Sequence, residues 1–334
     1  MIPNSRFLPA LCGLLLIFPG APTSALAAEN PPPAPRPTRN QADLDWWLAN
    51  MRRHSFTPEE MRAVTGLSAT DLNAALARLS PEQFRLLERN TSQALLVLPY
   101  PGGRHPRIGF LEGAIHPQRE TKVSVFTPWD KSSYVVVDVP EALWSNLGLT
   151  YLAHTHIPTI SDKQGVKLEP LEWDHSATDG TLRSARRLPN GISFGAVVKP
   201  ARDAVRMELA LTNGTQETLR DLRVQMCVML KNAAGFNAQT NANKIFHKPY
   251  SVCRSEHGDQ WIISGWDPCD RVWANAPVPC LHSDPKFPDC PAGESRLVRG
   301  WLSFFQGTNV LAELERIEKT GWRKGLGGRM TNDE

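Results

Sequence analysis

Leu222-Arg223-Val224-Gln225-Met226-Cys227-Val228-Met229-Leu230 decides the fold. Leu222, Val224, Met226, Val228 and Leu230 fall on one side of an extended chain, and Arg223, Gln225, Cys227 and Met229 on the other. A period of two is the mark of a strand with one face in a core. Upstream, Val205, Met207, Leu209 and Leu211 alternate with Arg206, Glu208 and Thr212 in the same way. Lys122–Phe126, Tyr134–Val139 and 94–98 are also strand-like. Asp179-Gly180 and Asn190-Gly191 supply hairpin turns, and Pro101-Gly102-Gly103 and Asn213-Gly214 supply further punctuation. The expected class is mostly β, with no internal repeat.

Before this region the period is helical. Leu44 to Arg53 places Leu44, Trp47, Leu48 and Met51 on one stripe. Thr57 with Glu60, Ser68 with Asp71, and Ser80 with Gln83 each pair an N-cap hydroxyl with an acceptor three residues on. Pro58 and Pro81 stand at first helical positions. The segment from Phe56 through Gly66 to Leu79 has the spacing of a helix-turn-helix but no concentrated basic face. With a formal charge of only +3, and with acids and bases interspersed, nucleic acid is excluded as the expected partner. A last helix is expected from about Asn309 to Thr320, with Gly321 behind it.

The first residues look like an export signal. Arg6 supplies positive charge, Phe7 to Phe18 is a short apolar run, and Ser24-Ala25-Leu26-Ala27-Ala28 offers a cleavage pattern after Ala27 or Ala28. The expected organisation of the 334 residues is a signal over 1–28, a proline-rich extended tether over 29–40, a helical prefix over 41–92, a β domain over 93–325 and a tail over 326–334. No later run is apolar enough to predict a membrane span, so the protein is expected outside the cytoplasm, secreted or periplasmic. In that setting Cys253, Cys269, Cys280 and Cys290 predict two disulfides of undetermined pairing, with a zinc site as the competing reading, disfavoured by long spacings and the lack of a C-x-x-C knuckle, and Cys227 reads as a free thiol.

The stretch from Leu188-Pro189-Asn190-Gly191-Ile192 through Val205–Leu209, Asn213-Gly214-Thr215 and Arg223–Leu230 to Gly235-Phe236 resembles the galactose-mutarotase-like β-supersandwich. Pro291-Ala292-Gly293-Glu294 before Leu297–Phe305 resembles a late segment of the same folds. The match covers about a quarter of the chain, and the whole chain also resembles a family of exported bacterial proteins without an assigned activity. The resemblance implies a β-supersandwich with a short helical bundle and one C-terminal helix, and sugar binding on a concave sheet. Mutarotases carry an Asn-His pair on the long strand. Met226-Cys227 stands there in this chain, so ordinary aldose 1-epimerase chemistry is not implied.

Four constellations carry candidate chemistry. His154-Thr155-His156 puts two imidazoles on one strand face, and with Gly148 it matches the opening of a cupin metal site, although Ile160 and Ser161 stand where the cupin Glu belongs. His116 and Arg119, with Glu120, form a short polar segment suited to acid–base work and to carboxylate or hydroxyl binding. The long polar loop from Asn232 to Tyr250 offers Asn237, Gln239 and Asn241 as sugar ligands. Between Trp261 and Cys290, His282 and Asp284 accompany Trp266 and Trp273 as possible sugar platforms, without the elbow of a serine hydrolase.

The expected catalytic residues are His116, Arg119, His154 and His156. The expected ligand-binding residues are Gln225, Asn237, Gln239, Asn241, His282 and Asp284. Arg119, His154 and the 237–241 loop are expected to border one pocket. No cofactor is expected, and a metal, if any, would sit on His154 and His156. The function expected is that of an exported carbohydrate-binding or carbohydrate-active protein, with isomerase or lyase chemistry on sugars. The rivals are a non-catalytic envelope or assembly protein and a cupin-like metal enzyme. The partner expected is a carbohydrate, and the sequence does not set the oligomeric state.

Overall fold

A computed structural model describes residue 36 and residues 38–85, 87–88, 94–108, 120–153 and 157–325. Helices α1 (Gln41–Arg53), α2 (Pro58–Thr65), α3 (Ala69–Arg78) and α4 (Pro81–Arg85) come first. Strands β1 (Val97–Pro99), β2 (Lys122–Phe126), β3 (Tyr134–Ser145) and β4 (Gly148–Leu152) follow, then the short α5 (Ile160–Lys163). The rest is β5 (Leu182–Arg187), β6 (Ile192–Pro200), β7 (Ala204–Asn213), β8 (Val224–Met229), β9 (Lys244–His247), β10 (Tyr250–Arg254), β11 (Gln260–Asp267), β12 (Cys269–Asn275), β13 (Val278–Pro285), β14 (Ser295–Gln306) and α6 (Val310–Lys319).

The strands form two antiparallel seven-stranded sheets. The first runs β1-β2-β3-β8-β13-β12, with β4 beside β3; the second runs β5-β6-β7-β14-β11-β10-β9. The alternation fixes which side chains meet. Val135, Val137, Val224, Met226, Val228 and Leu281 of the first sheet pack against Phe194, Ala196, Val205, Met207, Leu209, Val298 and Leu302 of the second. Asn190-Gly191 makes the β5–β6 turn, as its dipeptide requires. Asp179-Gly180 closes only a single bridge, Asp174 to Arg183, in front of β5. On the second sheet, glycines face rings: a Cβ on Gly300 would lie 2.6 Å from the Trp266 indole directly across the ladder. Trp266 is therefore core, not a sugar platform.

The helices cover part of the outer face of the first sheet. Trp47, Leu48, Met51, Met61, Val64 and Leu72 bury Leu98, Phe126, Tyr134, Val136 and Met229. Thr57 and Glu60 form the full capping box of α2. Arg104 then fastens this helix to the sheet: it holds Glu60 at 2.5 and 2.6 Å, donates to the Tyr134 hydroxyl at 3.1 Å and lies over the Phe56 ring. His54, fully buried, donates from Nδ1 to the Asn50 carbonyl at 2.9 Å, so its Nε2 accepts from Ser124 Oγ at 2.7 Å. α1 starts three residues before Leu44, capped by Asn40. Arg36, inside the stretch read as a proline-rich extended tether, is buried, pairs with Glu172 and lies 3.5 Å over the Trp47 ring. Among the described residues no helix is long and apolar enough to cross a membrane.

The two disulfides expected from the late cysteines do not form. Cys227, Cys253, Cys269, Cys280 and Cys290 are all free. Strand alternation separates them: Cys253 and Cys290 point into the inter-sheet core, and Cys280 points to the opposite face of the first sheet. Spacing in sequence counts cysteines but does not say which face each occupies. Alkylation in denaturant without reductant, followed by mass spectrometry, is expected to label all of these thiols. Two intact disulfides among the late four would contradict the structure.

Candidate functional site

The outer face of the first sheet is divided. Strand periodicity lines it with Lys122, Ser124 and Phe126 from β2, Val136 and Asp138 from β3, Gln225, Cys227 and Met229 from β8, and Cys280, His282 and Asp284 from β13. The helices take the apolar part. The remainder is a buried polar cluster, joined by Arg107 from the segment after β1. Glu141 reaches it because β3 bulges: Asp138 pairs with Cys227 and Ala142 with Gln225, so extra residues are inserted and Glu141 is re-aimed beside Asp138.

The charges are closely matched. Lys122 Nζ lies 2.9 Å from Asp138 Oδ1, its direct cross-strand partner, and both side chains are wholly buried. Arg107 Nη2 lies 2.6 Å from Glu141 Oε1 and 3.6 Å from Asp138 Oδ2. Gln225 Nε2 donates to Glu141 Oε2 at 2.9 Å. Asp284 accepts from the Met226 backbone N–H at 3.0 Å, Arg271 Nε at 2.9 Å and Trp273 Nε1 at 2.7 Å. His282 Nδ1 is 3.6 Å from Asp284 Oδ1 and 4.0 Å from Glu141 Oε2, and Trp273 stacks on the imidazole at 4.0 Å. Cys227, Cys280 and His282 form one group of donor atoms, all within 4.8 Å of one another.

Burial opposes a charge on His282, while Cys227 and the carboxylates of Asp284 and Glu141 beside it act in the other direction and raise the imidazole. Burial pushes the Cys227 thiol well up. The Cys280 thiol moves down, because its hydrogen bond with Cys227 outweighs burial. At the rim, Gln225 and Trp273 are half-buried and the Arg271 side chain is 57 % exposed, so the cluster meets solvent along this edge.

Of the residues singled out in the sequence, Gln225, His282 and Asp284 come together here. Asn237 is exposed on its loop, and Gln239 and Asn241 stand beside the cluster rather than in it. Gln239 donates to the Pro277 carbonyl at 2.6 Å and Asn241 to Ala274 at 3.4 Å, at the β12–β13 turn. Pro277 is seven residues and roughly 23 Å along the strand from Asp284, whereas Ala274 is next in the chain to Trp273, so the Asn241 end of the loop stands beside the cluster's edge. His116, Arg119, His154 and His156 lie outside the described residues, as does the pocket expected around Arg119 and His154. Glu120, next to them, is described, and holds Arg186 at 2.7 Å. Sequence reasoning missed Arg107, Lys122, Asp138 and Glu141. The available signal was a charge inside an apolar strand, in Lys122-Val123-Ser124-Val125 and Val136-Val137-Asp138-Val139. A charge is kept in such a run only when it is paired.

No family model matches the chain, and no curated protein matches it. Among solved structures it is similar to the Slr1438 protein from Synechocystis sp. PCC 6803, at 11% identity over 56% of this chain and 88% of that one, with a TM-score of 0.34. It is also similar to a protein from Escherichia coli K12 provisionally named an aldose 1-epimerase, at 11% identity over 56% of this chain and 96% of that one, with a TM-score of 0.35. A third is a provisionally named kojibiose phosphorylase from the human microbiome, at 9% identity over 73% of this chain and 37% of that one, with a TM-score of 0.36. The overlaps are partial and assign no activity to this chain.

Proposed function

We propose that this is an exported carbohydrate-binding protein whose ligand sits at the polar edge of the first sheet's outer face. One observation carries the reading: Gln225, Arg271 and Trp273 make a half-open rim of amide, guanidinium and indole over the buried carboxylates Glu141 and Asp284. Sugar hydroxyls need donors and acceptors held in fixed directions, and this rim offers both. The likeness of Leu188–Phe236 to mutarotase-like domains supports the same substrate class, and the leader-like N-terminus supports export. In its finer form the proposal is isomerase or lyase chemistry. Glu141 would accept a proton, with Arg107 at 2.6 Å steadying the charge.

A glycan-array screen of the purified protein, followed by calorimetric titration of the best ligand, tests the reading. Gln225→Ala and Arg271→Ala are each expected to weaken binding about 10- to 100-fold, as loss of a hydrogen bond worth roughly 1–3 kcal/mol requires. Thermal midpoints should fall only modestly, since Arg107 still holds Glu141 and the Met226 N–H and Trp273 still hold Asp284. Binding that survives both substitutions at full strength would place the ligand elsewhere. Loss of turnover in Glu141→Gln, with sugar still bound, would support the finer form.

A further inference from the structure

We propose that Cys227, Cys280 and His282 bind a zinc ion. Cys227 stands on β8, and Cys280 and His282 stand on the adjacent β13, all on the same sheet face. Their sulfur and ring-nitrogen donors lie within 4.8 Å of one another. Zinc bonds of about 2.3 Å to sulfur and about 2.0 Å to nitrogen span donors roughly 3.5–3.8 Å apart in a tetrahedron. Small rotations about χ1 close that difference. Two thiolates and an imidazole are also the soft donors that zinc takes in preference to magnesium or calcium.

The surroundings argue against two cysteines that merely fill space. Both thiols stand where the apolar residues under the helices meet the polar cluster: Cys227 has Asp138, Glu141 and His282 donors within 4.8 Å, and Cys280 lies beside Cys227 and His282. His282 is 3 % exposed, and among the described residues its Nδ1 has no aligned hydrogen-bond partner; the oxygens of Asp284 and Glu141 stand off at 3.6 and 4.0 Å. Asp284 is clamped by the Met226 N–H, Arg271 and Trp273, which fixes a carboxylate beside the imidazole. A carboxylate in that place orients a metal-binding histidine.

Charge balance selects a divalent ion. Lys122 and Arg107 already neutralise Asp138 and Glu141. Arg271 balances Asp284; two thiolates and a neutral imidazole add two negative charges, and Zn²⁺ cancels them, leaving the cluster with no net formal charge. A monovalent ion would leave one charge uncompensated in a low-dielectric interior. On binding, the thiol protons and any proton on the imidazole pass to solvent. The carboxylates of Asp138 and Glu141 come within 4.8 Å of the Cys227 sulfur, and the fourth metal position is not taken by a third thiol or a second imidazole among the described residues.

The test uses the untagged protein and no sugar, so its outcome is independent of the carbohydrate reading. Protein stripped with chelator is reloaded with Zn²⁺ and, separately, with Co²⁺, then freed of excess metal. One zinc per chain is expected by elemental analysis, and a thiolate-to-cobalt charge-transfer band in the near ultraviolet. Cys280→Ser should lose the band, Asp284→Asn should weaken zinc binding about 10- to 100-fold, and Cys253→Ser, on the other sheet, should keep both. Absence of stoichiometric metal in the wild type, cobalt bound without a thiolate band, or undiminished zinc binding by folded Cys280→Ser would overturn the proposal.

Discussion

Replacing Lys122 by alanine is expected to destabilise the protein by about 3 kcal/mol. Lys122 and Asp138 are cross-strand partners 2.9 Å apart, and neither side chain reaches solvent. Removing one partner of a buried pair leaves the other charge without water and without compensation, which costs roughly 3–5 kcal/mol. The lower end applies because Arg107, 3.6 Å from the other Asp138 oxygen, takes up part of the loss. The pair itself need not stabilise the fold, since its attraction is largely offset by desolvation. The double replacement Lys122→Met with Asp138→Leu should therefore lie closer to the wild type than Lys122→Ala does, with Arg107 still held by Glu141. Urea unfolding of the three proteins at neutral pH measures this. A single-variant loss below about 1 kcal/mol would mean that water reaches the pair.

Acidification below pH 6.5 is expected to undo the helix–sheet junction through His54. Burial lowers its folded value to about 3, with Arg104 and Arg53 adding repulsion, while the hydrogen bond to the Asn50 carbonyl only partly opposes this. The imidazole sits among the rings of Phe56, Tyr100, Phe126 and Tyr134 and bonds only Asn50 and Ser124. In the unfolded chain it titrates near 6.5. Between these values the unfolded state binds more protons, so stability is complete above pH 6.5 and falls as pH drops toward 3. The slope is about 1.4 kcal/mol per pH unit, or roughly 4–5 kcal/mol across the window. Chemical denaturation at pH 7 and pH 5 should show about 2 kcal/mol of this loss in the wild type and a smaller one in His54→Gln, in which carboxylate titrations remain but the imidazole does not. An NMR titration of the His54 ring moving near pH 6.5 in folded protein would contradict the account.

What the sequence made legible follows from which signals are local. The alternation in Leu222–Leu230 correctly sends Gln225 and Cys227 away from the inter-sheet core, and the Thr57–Glu60 box marks the start of α2 where it stands. These depend on neighbours within a few residues. The polar cluster depends on partners far apart in the chain: Arg107 with Glu141, Lys122 with Asp138, Glu141 with Gln225. It also depends on a bulge at Val139–Pro140 that no period reveals. Cysteine spacing misled for a related reason. Cys280 and Cys227 are fifty-three positions apart in sequence, yet they are neighbours on adjacent strands, while the late four that sequence grouped together are divided between sheet faces. Trp266 and Trp273 look equivalent in composition, but one fills the space above Gly300 and the other stacks on His282 at the rim.

The central claim is that sugar binds at the polar edge of the first sheet, and a ligand-bound structure with the best glycan-array ligand tests it most directly. The account predicts ring density within hydrogen-bond reach of Gln225 and Arg271, over Glu141 and Asp284. A sugar seated instead at the Pro277 end of the β12–β13 turn, seven residues and roughly 23 Å along the strand from Asp284, without contact to Gln225 or Arg271, would contradict it.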